Sequence, residues 1–226
     1  MNFSSFFYQL LLISVPLLFA ITLHEAAHGY VANFFGDATA KIKGRITINP
    51  IPHIDIIGTI VIPLLVFFLS KGAFLFGYAK PVPITYSKLR RPKIHMIWVA
   101  LAGPLANIFQ AIFWIIFLTI LEGLDKNISI YTLIQISKYG ILINIILFVF
   151  NLFPVPPMDG GRVLIGILPV KIGSLINKVE PYGIFIVLFL LLIGFLNKYW
   201  LMPLMDFTYH VLNLITFPLN IFLNFT

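Results

Sequence analysis

Apolar side chains fill long stretches of the chain, at 6–21, 94–121, 141–153 with its neighbours, 184–196 and 200–225. At 1.5 Å of rise per residue, about 20 apolar residues cross the roughly 30 Å hydrocarbon core of a bilayer. The pattern predicts a first helix over about 6–35, stopped at Gly36-Asp37, and spans over about 94–121, 132–153, 182–197 and 201–222. Another apolar run, at 56–69, holds only 14 residues, short for a crossing; it predicts either a re-entrant hairpin or two crossings completed through residue 80. Between these, residues 41–48 alternate polar and apolar with β-branched side chains at 42, 46, 47 and 48, the period of a half-exposed strand. Prolines and glycines punctuate 78–83 and 151–162, where a helix cannot continue, and a short helical piece follows at 163–168.

The expected fold is an all-α polytopic membrane protein of about five to six transmembrane helices, with a small β element and re-entrant loops. There is no internal repeat or low-complexity linker, so residues 1–226 are read as one domain, with a core at about 6–168 and C-terminal helices at about 180–222. The first helix lacks a basic leader and a small-residue cleavage site, so it is expected to be retained as a span.

Composition supports this picture. Hydrophobic residues make up 60% of the chain and charged residues 10%, with a mean hydropathy of +1.00. Soluble domains average about 45–50% and 25%. A soluble enzyme or a nucleic-acid-binding tail is excluded. The net charge of +7 is concentrated in the loops at 41–45, 80–93 and 162–178, whereas 122–127 holds two acids and one Lys. The positive-inside bias places the basic loops in the cytoplasm of a multi-pass cell-membrane protein. The first helix then runs inward, and His24 lies about 27 Å along it, near the cytoplasmic face. The spans at 94–121 and 132–153 return Asp159 to that face.

With no cysteine in the chain, any metal must be held by His, Asp or Glu. His24-Glu25-Ala26-Ala27-His28 is an H-E-x-x-H motif on a predicted helix. Spacing of i, i+4 puts both imidazoles on one face, where they can grip one Zn²⁺, with Glu25 beside them to take a proton from a water that the metal polarises. Two imidazoles and a carboxylate inside an apolar helix have no structural use that repays their desolvation. A third ligand is still required. His53, Asp55 and Asp159 are candidates, and Asp159 is favoured because irregular backbone at membrane depth must line a cavity or be covered by protein.

Four segments together resemble the site-2 proteases, intramembrane zinc metalloproteases. They are His24-Glu-Ala-Ala-His-Gly29, Asn49-Pro50 with His53-Ile-Asp55 and Gly58, Gly77-Tyr-Ala-Lys-Pro-Val-Pro83 leading to Ala102-Gly-Pro-Leu-Ala-Asn107, and Asn151-Leu-Phe-Pro154 with Pro157-Met-Asp-Gly-Gly-Arg162. The likeness covers roughly residues 15–165 and is nearest the compact bacterial branch without a PDZ domain, as no soluble stretch of that size is present. Ile56 stands where relatives often carry Pro. The resemblance implies one zinc per chain held by His24, His28 and Asp159, with Glu25 as general base. It implies that Asn151 and Pro157 border a cleft for a transmembrane protein or peptide, and that 41–50 is a membrane-associated β element beside the site.

Asn107 and Asn144 lie within spans, where an asparagine serves an interhelical hydrogen bond; Asn107 is also a candidate substrate contact. Gly103 and Pro104 suit close helix packing or a kink. His95 is expected at the interface, and Asp206 and His210 form an i, i+4 pair in the final span. The alternative function, a membrane metal-ion transporter or sensor, would distribute its His and Asp through the depth of the bundle. Nucleic acid is not an expected partner; the substrate's identity, a regulatory partner and the oligomeric state are not specified by the sequence.

Overall fold

Three long helices carry the architecture of the computed structural model, which describes residues 3–61, 65, 80–125 and 127–224. They are α1 (Phe3–Phe34), α3 (Pro92–Glu122) and α4 (Ile128–Asn151), with the single turn α2 (Thr39–Ile42) following α1. Pro92 opens α3 at a position where a missing N–H costs nothing. Asn127 caps α4 by accepting the Ile130 N–H at 3.0 Å. Shorter helices complete the chain: α5 (Asp159–Ile167), α6 (Val170–Asn177), α7 (Glu180–Leu192) and, after a π-helical turn, α8 (Met202–Asn224).

The central element is α3, which lies against α1, α4, α5 and α8. Ala111, Trp114 and Ile115 of α3 form the main core with Ile141, Ile145 and Val149 of α4 and Leu212 of α8. The Trp114 ring lies on Gly140, where a Cβ would come within 2.5 Å of it. Helices in lipid gain no hydrophobic force toward one another, so small residues that allow close approach matter more than in water.

The structure corrects two expectations. Three helices are long and apolar enough to cross a membrane (Tyr8–Phe34, Pro92–Glu122 and Ile128–Asn151), or four if α6 and α7, bent by 67°, count as one broken span. The expected five to six are not reached among the described residues. Gly194, at φ +74°, takes a left-handed turn just beyond α7, which is only 13 residues long. The helix α8 forms where expected but is not among the apolar spans; it carries Asp206, His210 and Asn213. The run at 56–69 begins as a π-helical turn, Ile56–Val61, and its choice between hairpin and two crossings lies outside the described residues.

No strand forms at 41–48, and none occurs among the described residues. Asp37 accepts the Thr39 N–H at 3.0 Å and the Thr39 hydroxyl, which starts the helical turn α2 instead. Gly44, at φ +64°, then reverses the chain. The adjacent non-helical segment, residues 80–85, has prolines at 81 and 83, so alternate positions lack the N–H that a ladder needs.

A close approach fixes the loop before α5. A Cβ on Gly183 of α7 would lie 1.5 Å from the Pro156 carbonyl oxygen. Gly183→Ala is expected to destabilise by about 1–3 kcal/mol, a fall of several degrees in the thermal midpoint in detergent. Gly123→Ala, where the nearest atom is 3.5 Å away, should leave it unchanged. Equal midpoints for the two variants would contradict this packing.

Candidate active site

On α1, His24 and His28 point toward α3, and each ring is oriented by a hydrogen bond to that helix. His28 Nδ1–H donates to the Val99 carbonyl at 2.6 Å, and His24 Nδ1–H donates to Asn107 Oδ1 at 2.6 Å. The direction of the second bond follows from a chain of buried amides. Asn144 Nδ2 donates to the Gly140 carbonyl at 2.8 Å, so its Oδ1 faces Asn107 Nδ2, which donates to it at 2.9 Å. Asn107 Oδ1 is thereby left as an acceptor, and His24 Nδ1 must carry the proton. Asn107 and Asn144 are both fully buried.

With protons on both Nδ1 atoms, neutral rings present bare lone pairs at Nε2. These two atoms lie 3.0 Å apart, and Asp159 Oδ2 lies 3.2 Å from the first and 3.4 Å from the second. Asp159 Oδ2 is buried and has no hydrogen-bond donor among the described residues. Three acceptors converging without a donor among them call for a cation. Ligands at about 2.0–2.1 Å from a tetrahedral centre lie roughly 3.3–3.4 Å apart, close to these separations. Two imidazoles and a carboxylate with an open position match a catalytic zinc site, although the same set suits non-haem iron. His24, His28 and Asp159 are the one such cluster found among the described residues, a single depth rather than a path.

Gly103 sits beneath the imidazoles. A Cβ there would lie 2.4 Å from His28 Nε2 and 2.6 Å from His24 Nε2. Val99, Gly103 and Asn107 repeat at intervals of four and share one face of α3, opposite His28 and His24. Gly103 therefore makes room for the ligand atoms as well as for the helix.

Asp159 is the first residue of α5 and reaches the site because its loop folds over that helix's first turn. A Cβ on Gly160 would meet the Leu152 carbonyl oxygen at 2.1 Å, and one on Gly161 would meet Pro156 N at 2.3 Å. The Gly-Gly pair after Asp159 answers that crowding. Trp200 braces the loop from behind, donating from Nε1 to the Val149 carbonyl at 2.9 Å and meeting Phe153 edge-on. Arg162 Nη2 pairs with Glu180 at 2.6 Å, joining α5 to α7, and stacks over Tyr86.

Glu25 lies outside the ligand cluster, half-buried, and its Oε2 accepts the Val82 N–H at 2.7 Å. Between Pro81 and Pro83, this is the single backbone N–H of three successive residues. The segment is anchored at its far end by Asp37, whose Oδ2 accepts the Thr85 N–H at 2.6 Å. Burial alone would raise the Asp37 carboxyl, but bonds from Thr39 and Thr85 outweigh it and hold the group below its ordinary value.

Other sequence candidates fall elsewhere. Burial holds the His53 imidazole below its usual range; its Nε2 faces the Thr47 carbonyl at 3.3 Å, away from the cluster. Asp55 accepts the Gly58 N–H at 2.7 Å and is likewise not a member. His95 stacks on Phe35, and the exposed His210 and Asp206 pair at 3.6 Å on α8. Asn151 turns its amide back to the Leu147 carbonyl at 2.9 Å, while Pro157 packs toward Gly183; both sit on the loop that leads to Asp159. Asn107, expected as a possible substrate contact, has no accessible surface, and its polar atoms are engaged with His24, Asn144 and Ala20. Its place is behind the imidazole.

Comparison with known proteins places the chain in a family. The family model described as Peptidase family M50 matches residues 122–194, a stretch that includes the Asp159 loop. The chain is 37% identical to a protein named putative zinc metalloprotease YwhC from Bacillus subtilis over 195 residues, 85% of this chain and 84% of that one. It is 27% identical to putative zinc metalloprotease Rip2 of Mycolicibacterium smegmatis, covering 84% and 70% of the two chains. A zinc metalloprotease of Methanocaldococcus jannaschii is 29% identical over 81% of this chain and 42% of its own length. No solved structure matches. The chain belongs to peptidase family M50, the site-2 protease family, and is a membrane metalloprotease.

Proposed function

We propose that this protein is an intramembrane endopeptidase that hydrolyses peptide bonds within or near transmembrane segments of membrane proteins, in regulated intramembrane proteolysis. The observation that supports this most is the convergence of His24 Nε2 and His28 Nε2, inside an apolar helix, with Asp159 Oδ2, all within 3.0–3.4 Å of one another. His28 lies six residues from Phe34, the end of the first apolar span, or about 9 Å along the helix. Charge bias assigns that end to the cytoplasm.

His24, His28 and Asp159 would hold a zinc ion, which would supply Lewis acidity toward a water and the scissile carbonyl. The remaining work belongs to the chain. Glu25 accepts the proton of the attacking water and delivers it to the leaving amine nitrogen, with its carboxylate aimed by the Val82 N–H. Asn107 and the Val99 carbonyl keep both rings in the tautomer that presents Nε2. A helical peptide bond is shielded by its own hydrogen bonds, so the substrate must unwind, and Asn151 and Pro157 border the place where it enters.

Glu25→Gln is expected to lower cleavage by at least about 10²-fold while zinc stays near one per chain by metal analysis. Asp159→Ala should lose both zinc and activity; zinc retained at wild-type affinity would remove Asp159 from the ligand set. Asn107→Leu, close in volume, should weaken zinc about 10–100-fold in a chelator competition, since it leaves His24 Nδ1 without its acceptor. Unchanged affinity would sink that role. Orientation is open to cysteine labelling, because the chain has no native Cys. A cysteine at 125 should react with an impermeant thiol reagent in intact cells, and cysteines at 43 and 171 only after the cytoplasmic face is opened. The reverse pattern would move the site to the outer face.

A further inference from the structure

A second polar site lies on the far side of the 80–83 segment. A cavity of about 290 Å³ is lined by Lys43, Arg45, Lys80, Pro81 and Pro83. None of its three cations forms an ion pair among the described residues, which include all eight acidic side chains. Arg45 is nine-tenths buried, an unusual place for an unpaired guanidinium. Its Nη2 donates to the Lys80 and Pro81 carbonyls at 2.7 and 3.3 Å, and its Nε is buried with no partner among the described residues. Three positive charges held around one cavity repel each other unless an anion joins them.

The surroundings say where the anion comes from. From the end of α2 to the start of the π-helical turn, the chain exposes Ile42, Ile48, Ile51, Ile56 and Ile57 at 61–80% of their surface. Among the described residues Ile42, Ile48 and Ile51 lie outside the candidate spans, on the segment that follows the end of the first span at Phe34, and Ile56 and Ile57 open the apolar run that comes next. Leaving each of them in water would forgo about 1.5–3 kcal/mol of burial, whereas dipping into the acyl boundary covers them. Apolar side chains at that depth with cations beside them form the pattern of an interfacial segment that meets anionic headgroups. A free anion would account for the cations but not for the isoleucines.

We propose that the cavity between Lys43, Arg45 and Lys80 binds the phosphate of an anionic phospholipid from the leaflet into which the isoleucine-rich segment dips. Its wall is the segment whose Val82 N–H holds Glu25, so a lipid seated there lies one strand of backbone from the base. The binding claim does not depend on the protease reading.

The test is native mass spectrometry of the full zinc-loaded chain in detergent, titrated with phosphatidylglycerol or phosphatidylcholine. Each Lys near an anionic surface is worth about fivefold in binding, so Lys43→Gln with Lys80→Gln should weaken phosphatidylglycerol about 25-fold and leave phosphatidylcholine unchanged. Both side chains are exposed, so folding should survive, and retained zinc checks it. Lys171→Gln with Lys178→Gln removes the same charge elsewhere and should have no such effect. Unchanged phosphatidylglycerol binding in the first variant, or an equal loss in the second, would overturn the site. Displacement of the lipid by millimolar inorganic phosphate would assign the cavity to a free anion and overturn the lipid.

Discussion

Two imidazoles deep in an apolar helix keep a single tautomer because α3 and α4 leave them no other choice. The chain of bonds runs from the Gly140 carbonyl through Asn144 and Asn107 to His24, and a shorter one from Val99 serves His28. In hydrocarbon no water can stand in for a missing partner, so each link must be made by protein. Much else follows from holding these bonds. Gly103 has no side chain because the Nε2 atoms occupy that space, and Gly140, whose carbonyl starts the relay, is small enough to let Trp114 bring α3 close to α4. The membrane core is therefore organised around the orientation of two rings.

The remaining chemistry is divided between two irregular segments with different supports. The Asp159 loop is pressed between α5 and α7 by carbonyl contacts that tolerate no Cβ at Gly160 or Gly183, and Trp200 backs it. Its ligand atom is thus held by packing. The Glu25 side is held by one N–H of a proline-flanked segment, whose other neighbours are Arg45 and Asp37. In the proposed mechanism Asp159 needs a fixed position as a ligand, whereas Glu25 as the base must turn from water toward the leaving nitrogen, and a single hydrogen bond permits that movement.

Helical spacing made the His24–His28 pair legible from the sequence, and the cost of irregular backbone at membrane depth singled out Asp159 over His53 and Asp55. The long helices were equally legible from apolar length. What failed did so for physical reasons. Residues 41–48 alternate like a strand, but alternation describes burial of a face, and the proline-interrupted 80–85 segment beside them cannot complete a ladder. Among the described residues the expected spans at 182–197 and 201–222 fall short because apolar runs do not reveal the break at Gly194 or the polar load of α8. Val99, Gly103 and Asn107 carried a readable signal, a repeat of four on one face, that becomes meaningful only when the facing helix is known to be α1. The Val82 contact is a backbone bond across 57 residues, and no local pattern announces its partner.

Zinc K-edge X-ray absorption on the purified, zinc-loaded chain tests the central claim most directly. The account predicts a first shell of nitrogen and oxygen at about 2.0–2.2 Å, with outer-shell scattering that requires two imidazoles, and loss of the bound zinc in His24→Ala or His28→Ala. A wild-type spectrum that fits with one imidazole or none, or one that is unaltered by removing His28, would contradict it.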